Sequence, residues 1–175
     1  MLIISNLDIW TVHGYLTDGV TALEIQEHRD RWERHYNEFQ VPSGKTAWMT
    51  ETSGFDDTWD TSNADAFDLS VAIYSMLYYG KGSAWVYWYG AGALLNGSTP
   101  TQRYYSSKQF FRYIRPGSRM VSVTTDAPDI LACAFENTAL NNFVVVLINV
   151  SSSSKLLSLT GDNIPAASCH LISIA

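Results

Sequence analysis

Hydrophobic positions in the first two thirds of the chain switch between the period of two expected of a strand and the 3.6 expected of a helix. Leu7 to Val12 is a short β-branched and aromatic run that predicts a strand. From Thr21 to Gln40 the apolar residues Ile25, Trp32, Tyr36 and Phe39 recur at helical spacing, behind a capping box formed by Thr21 and Glu24. Thr46 to Thr50 predicts a second strand. Asn63 to Tyr79 predicts a second helix, with Asp65 and Asp68 in its first turn, Gly80 as its stop, and Phe67, Val71, Tyr74 and Tyr78 as its buried stripe. Ser83 to Tyr89 is nearly continuous in aromatic and apolar residues, as expected of a parallel strand covered on both faces. A helix from Thr101 to Ile114 ends at Pro116-Gly117.

Beyond Gly117 the pattern becomes one of strands separated by turn residues. Met120 to Thr124, Ile130 to Glu136, Phe143 to Val150, Leu156 to Leu159 and Cys169 to Ile174 read as strands, with Asp126-Ala127-Pro128, Asn141-Asn142, Ser151 to Ser154 and Gly161-Asp162-Asn163 between them. The fold class is therefore α/β followed by all-β: three βα units in residues 1–117, then an antiparallel β module in 118–175. Leu2 to Ser5 cannot add a fourth parallel strand beside the first, because only two residues separate it from Asp8 and a parallel crossover needs about a dozen. Three parallel strands do not close, so the pattern predicts a partial TIM-type barrel whose outer strands expose unpaired backbone and apolar surface. Self-association that covers those edges is expected.

Composition narrows the partners. A formal net charge of -6, with no basic stripe, argues against nucleic acid. The longest apolar stretch, around Phe143 to Val150, is far short of the roughly 20 residues that span a bilayer. Met1 to Ile4 is too short for the apolar region of a signal peptide. Cys133 and Cys169 lack metal-binding spacing and are expected to be buried thiols rather than a disulfide. Aromatic residues make up 13% of the chain, which suits either a core or a site for ligands with apolar faces, such as sugars.

Barrel enzymes carry their chemistry at the C-terminal ends of strands. Three such ends occur here: His13-Gly14-Tyr15, Glu51-Thr52-Ser53-Gly54 and Trp88-Tyr89-Gly90-Ala91-Gly92. One carboxylate, one imidazole and several aromatic rings suit glycoside hydrolysis, in which a carboxylate attacks an anomeric carbon while aromatic faces stack on sugar rings. Other residues favour plainer readings. His28 and His35 lie seven apart on a helix rich in Arg and Glu, and a solvated charged face is the expectation there, not a metal site. Gly90-Ala91-Gly92 lacks the Lys and helix start of a phosphate loop. Asn96-Gly97-Ser98 and Asn149-Val150-Ser151 match a sequon short enough to arise by chance. Trp85 and Tyr87 share one strand face and Val86 and Trp88 the other, the latter expected to point into the barrel.

The order of motifs, from Asp8-Ile-Trp-Thr-Val-His13-Gly-Tyr15 through Trp48-Met-Thr-Glu51 and Ala84-Trp-Val-Tyr-Trp88 to Phe111-Arg112-Tyr113-Ile114-Arg115-Pro116-Gly117, resembles the C-terminal portion of glycoside hydrolase family 30. Its members include xylanases, glucanases and glucosylceramidases. The resemblance implies a retaining (β/α)8 barrel with an attached β-sandwich, of which strands six to eight are present. It also implies Glu51 as nucleophile, His13 and Tyr15 as strand-six residues lining the site, and Trp88 as the aromatic at the end of strand eight. No cofactor or metal is implied, and an extracellular location is.

The family's acid/base glutamate, in an Asn-Glu-Pro segment of strand four, has no counterpart in this chain. A retaining mechanism needs a second carboxyl group about 5 to 5.5 Å from the first. Asp18, Asp56, Asp57, Asp60 or a neighbouring chain are the candidates, with absence as the remaining alternative. The expected function is hydrolysis of a β-linked polysaccharide such as xylan or β-glucan. The competing expectation is a non-catalytic or weakly active barrel remnant that binds carbohydrate.

Overall fold

A computed structural model describes residues 6–15, 25–52 and 63–161. The chain divides into two compact units, residues 1–106 and 107–175. The first contains a three-stranded parallel sheet in the order β1 (Trp10–His13), β2 (Ala47–Glu51) and β3 (Ala84–Trp85). Helix α1 (Ile25–His35) joins β1 to β2 and α3 (Asn63–Tyr78) joins β2 to β3, the order that the alternation of strand and helix signals predicts. The capping box at Thr21 and Glu24 lies outside the described residues.

One sheet face is apolar and covered. Met49 of β2 packs with Trp32 of α1 and Met76 of α3, and Val12 and Trp85 close around them. The other face carries Thr11, Trp48 and Val86, all exposed. Trp48 Nε1 and Thr46 Oγ1 both donate to Ser83 Oγ, at 3.0 Å each, and so tie β2 to the start of β3. Helix α3 is buried on nearly every side from Leu69 to Met76, so no single stripe describes it. It ends where expected, but Gly80 serves close packing: a Cβ there would lie 2.6 Å from the Trp32 ring, and the left-handed conformation falls to Lys81.

Helix α1 runs on through a π-helical turn (Tyr36–Gln40) into a short α2 (Val41–Ser43), and Gly44 stops it with φ +66. His28 corrects the expectation of a solvated helix face, because it is buried four residues before Trp32 on the same stripe. Burial, with Arg31 adding repulsion, lowers its pKa from 6.5 to about 4. The imidazole is therefore neutral at pH 7. Among the described residues no group of His, Cys, Asp and Glu could hold a metal ion, and no helix is long and apolar enough to cross a membrane.

The aromatic run that predicts a strand from Ser83 to Tyr89 forms only the two residues of β3. A hairpin of β4 (Leu95–Asn96) and β5 (Thr99–Pro100) follows, which the pattern did not predict. Thr101 then precedes helix α4 (Gln102–Phe111), and its Oγ1 accepts from Tyr104 N–H while donating to Ala93 O at 2.7 Å.

In the second unit, β6 (Arg119–Val121), β7 (Ile130–Asn137) and β8 (Asn142–Asn149) form an antiparallel sheet. Asn137 anchors its entry: the side-chain Nδ2 donates to Pro116 O at 3.0 Å, and Oδ1 accepts from Leu140 N–H at 3.1 Å. Leu156 to Leu159 is not a strand, and Leu156 is fully exposed. Cys133 is a buried free thiol, pushed up to about 12 by burial. Cys169 and the strand expected at Cys169 to Ile174 lie outside the described residues.

Candidate active site

An extra residue in β2 sets the geometry of its C-terminal end. Val12 pairs with Met49, but the next residue of β1, His13, pairs with Glu51 and leaves Thr50 unmatched. Hydrogen bonds on both sides of β2 register the same insertion. Toward β1, Trp10 N–H reaches Thr46 O and Gly14 N–H reaches Glu51 O, so four residues on one strand span five on the other. Toward β3, Val86 N–H reaches Met49 O at 2.8 Å, and Trp88 N–H, only two residues later, reaches Thr52 O at 2.6 Å.

This bulge has a chemical consequence. By simple alternation Glu51 would face the covered side with Ala47 and Met49, where an ionised carboxylate would be desolvated. One added residue re-aims the side chain, as bulges do near functional sites. Glu51 Oε1 instead lies 3.5 Å from His13 Nδ1 and accepts a 3.0 Å hydrogen bond from the Tyr15 hydroxyl. Gly14 permits the crossing between those two partners, because a Cβ at this position would sit 2.9 Å from Met49 Cγ. The Arg31 guanidinium donates to Tyr15 O and holds the segment from the α1 side.

The sequence-predicted residues therefore fall into three groups. Glu51, His13 and Tyr15 meet at one strand end. Trp88 lies at the end of the neighbouring segment, 53% exposed, its backbone pinned to Thr52 one residue beyond Glu51. Asp18, Asp56, Asp57 and Asp60 lie outside the described residues. Within the described parts of the three strand ends, residues 13–15, 51–52 and 86–95, Glu51 is the one carboxylate. Thr50, Gly14 and Thr52 were not singled out by sequence. Gly14 could have been, as a glycine between two site residues, whereas a one-residue bulge leaves no mark in a hydrophobic pattern.

What the arrangement can do is hold a half-buried carboxylate in a fixed orientation, with a phenol donating to one oxygen and the second oxygen left to act. No family model matches the chain. A solved endoxylanase of glycoside hydrolase family 30 from Clostridium papyrosolvens C71 is similar to it, with 26% identity and a TM-score of 0.63, over 83% of this chain and 34% of that one. The chain resembles the C-terminal portion of a family 30 glycoside hydrolase. A family 30 subfamily 8 xylanase from Clostridium acetobutylicum is similar too, at 25% identity and a TM-score of 0.55, over 64% of this chain and 29% of that one. The chain thus spans about a third of the length of the family 30 structures it matches.

Proposed function

We propose that this chain forms the C-terminal part of a retaining family 30-like glycoside hydrolase acting on xylan or a related β-linked polysaccharide. Its three βα units belong to a larger (β/α)8 barrel, and its antiparallel sheet to a β-sandwich. The observation that carries the proposal is the bulge-directed meeting of Glu51 with Tyr15 and His13 at the C-terminal end of a parallel sheet. Glu51 attacks the anomeric carbon through its second oxygen, Tyr15 and His13 hold the carboxylate in line through Oε1, and Trp88 stacks on a sugar ring. Likeness to two xylanases supports xylan as the substrate. The extracellular location of the parent family follows from the same reading.

A second reading is favoured by one observation: the described strand ends contain a single carboxylate. On that reading the chain binds carbohydrate without cleaving it. The two readings part on a substrate whose leaving group needs little proton donation. The chain and its Glu51→Gln variant are assayed on an aryl β-xyloside and on xylan. Turnover of the aryl substrate that disappears in the variant supports hydrolysis, and turnover that survives overturns Glu51 as nucleophile. Binding without turnover supports the second reading.

A further inference from the structure

We infer that Asn96 is a site of spontaneous covalent modification, at which the chain closes a succinimide with Gly97 and opens it to aspartate and isoaspartate. Asn96 is the one asparagine in the sequence followed by glycine. The pair opens the tight turn of the hairpin. Asn96 pairs with Thr99 across β4 and β5, Gly97 and Ser98 form the turn, and Gly97 has φ +62. All four residues are exposed.

Three features favour ring closure here. Gly97 has no Cβ, so its main-chain nitrogen can approach the side-chain Cγ of Asn96 closely. Among the described residues, neither the Asn96 side-chain amide nor Gly97 N–H has a hydrogen-bond partner. Each strand of the hairpin is only two residues long, so the turn opens at little cost. Asparagines in the β unit are held or hindered instead. Asn149 Nδ2 donates to Ser153 O at 2.7 Å, and its Oδ1 accepts from Ser151 N–H at 3.1 Å. Asn137 is buried and donates to Pro116 O at 3.0 Å. Asn141 precedes Asn142, whose Cβ crowds the attack.

The reaction consumes only water. The Gly97 nitrogen gives its proton to hydroxide and bonds to Asn96 Cγ. The Cγ–Nδ2 bond breaks as the amide nitrogen takes a proton from water and leaves as ammonia. A second water opens the ring. Attack at Cγ gives aspartate, whereas attack at the main-chain carbonyl carbon of Asn96 gives isoaspartate, with the main chain rerouted through Cβ and Cγ. Either product adds one negative charge to a chain at -6. Isoaspartate also adds a main-chain atom just before the turn, which disturbs the register of Asn96 with Thr99. The hairpin is bonded to the loop that leaves the candidate site, through Leu95 N–H to Gly90 O at 3.0 Å and Gly92 N–H to Leu95 O at 2.6 Å.

The test holds the purified chain at mildly alkaline and at mildly acidic pH, folded and in urea, and digests samples at intervals for peptide mass spectrometry. In the folded chain the Asn96 peptide is expected to lose its amide at least about tenfold faster than the Asn141 and Asn149 peptides. The loss is faster at the alkaline pH and yields isoaspartate beside aspartate. The folded rate at Asn96 is expected to be at least about a tenth of the rate in urea, whereas unfolding accelerates Asn149 more. Gly97→Ala is expected to slow the loss about tenfold, and Asn96→Gln, which keeps the turn glycine, to abolish it. Equal folded-state rates at Asn96 and Asn149 overturn the inference, and so does aspartate formed without isoaspartate. A folded rate at Asn96 below a tenth of that in urea also overturns it, because the turn would then be protective.

Discussion

At the scale of single residues, His28 shows how burial turns a common side chain into a pH-dependent liability. Its folded pKa of about 4 lies below the unfolded value of 6.5, so between those values the unfolded chain binds more protons than the folded one. Stability is therefore greatest above about pH 6.5 and falls as pH drops toward 4. At pH 5 the loss is on the order of 2 kcal/mol. Urea titrations at pH 7 and pH 5 should show it, and His28→Leu should remove most of that difference. The sequence concealed this residue because its neighbours Glu27, Arg29 and Asp30 are polar. Its spacing from Trp32 was the legible clue, since residues four apart share a helix face. Glu51, by contrast, was legible from its flanking motif, although nothing in that motif revealed which way the side chain turns.

At the scale of elements, the bulge in β2 accounts for one part of what the pattern missed. The continuous apolar runs of β7 and β8, and the long apolar helix α3, appear within one or two residues of expectation. The aromatic run after Ser83 does not become a seven-residue strand, because its neighbour β2 shifts register beyond Met49. Leu156 to Leu159 had the composition of a strand but forms no ladder. Composition records propensity, whereas a ladder also needs a partner in register. The bulge yields a contrast between length and chemistry. Thr50→Ala keeps the extra residue and loses only a long 3.5 Å hydrogen bond to Val12 O, so stability should change by less than about 1 kcal/mol. Deleting Thr50 leaves Glu51 directly after Met49, on the opposite face by simple alternation and still paired with His13, but shifts Thr52 by one residue against Trp88, whose N–H donates to Thr52 O. The deletion is therefore expected to lower the urea midpoint more than Thr50→Ala does, through the disturbed hydrogen bond between Thr52 and Trp88.

At the scale of the whole molecule, the parallel sheet is covered on one face and exposes Trp48 and Val86 on the other, with β1 and β3 as its outer strands among the described residues. Apolar surface and unpaired strand edges favour association. Light scattering at micromolar concentration is expected to report at least twice the monomer mass, and Val86→Lys to shift the distribution toward the monomer; a clean monomer for the parent would contradict the expectation. The division into two units has a spectroscopic consequence. All six tryptophans lie in residues 1–106, and both cysteines lie in residues 107–175. Tryptophan emission therefore follows the α/β unit alone, while the reactivity of Cys133, measured in a Cys169→Ser background, follows the β unit alone. A single denaturant series yields a separate unfolding curve for each half of the chain without any added label.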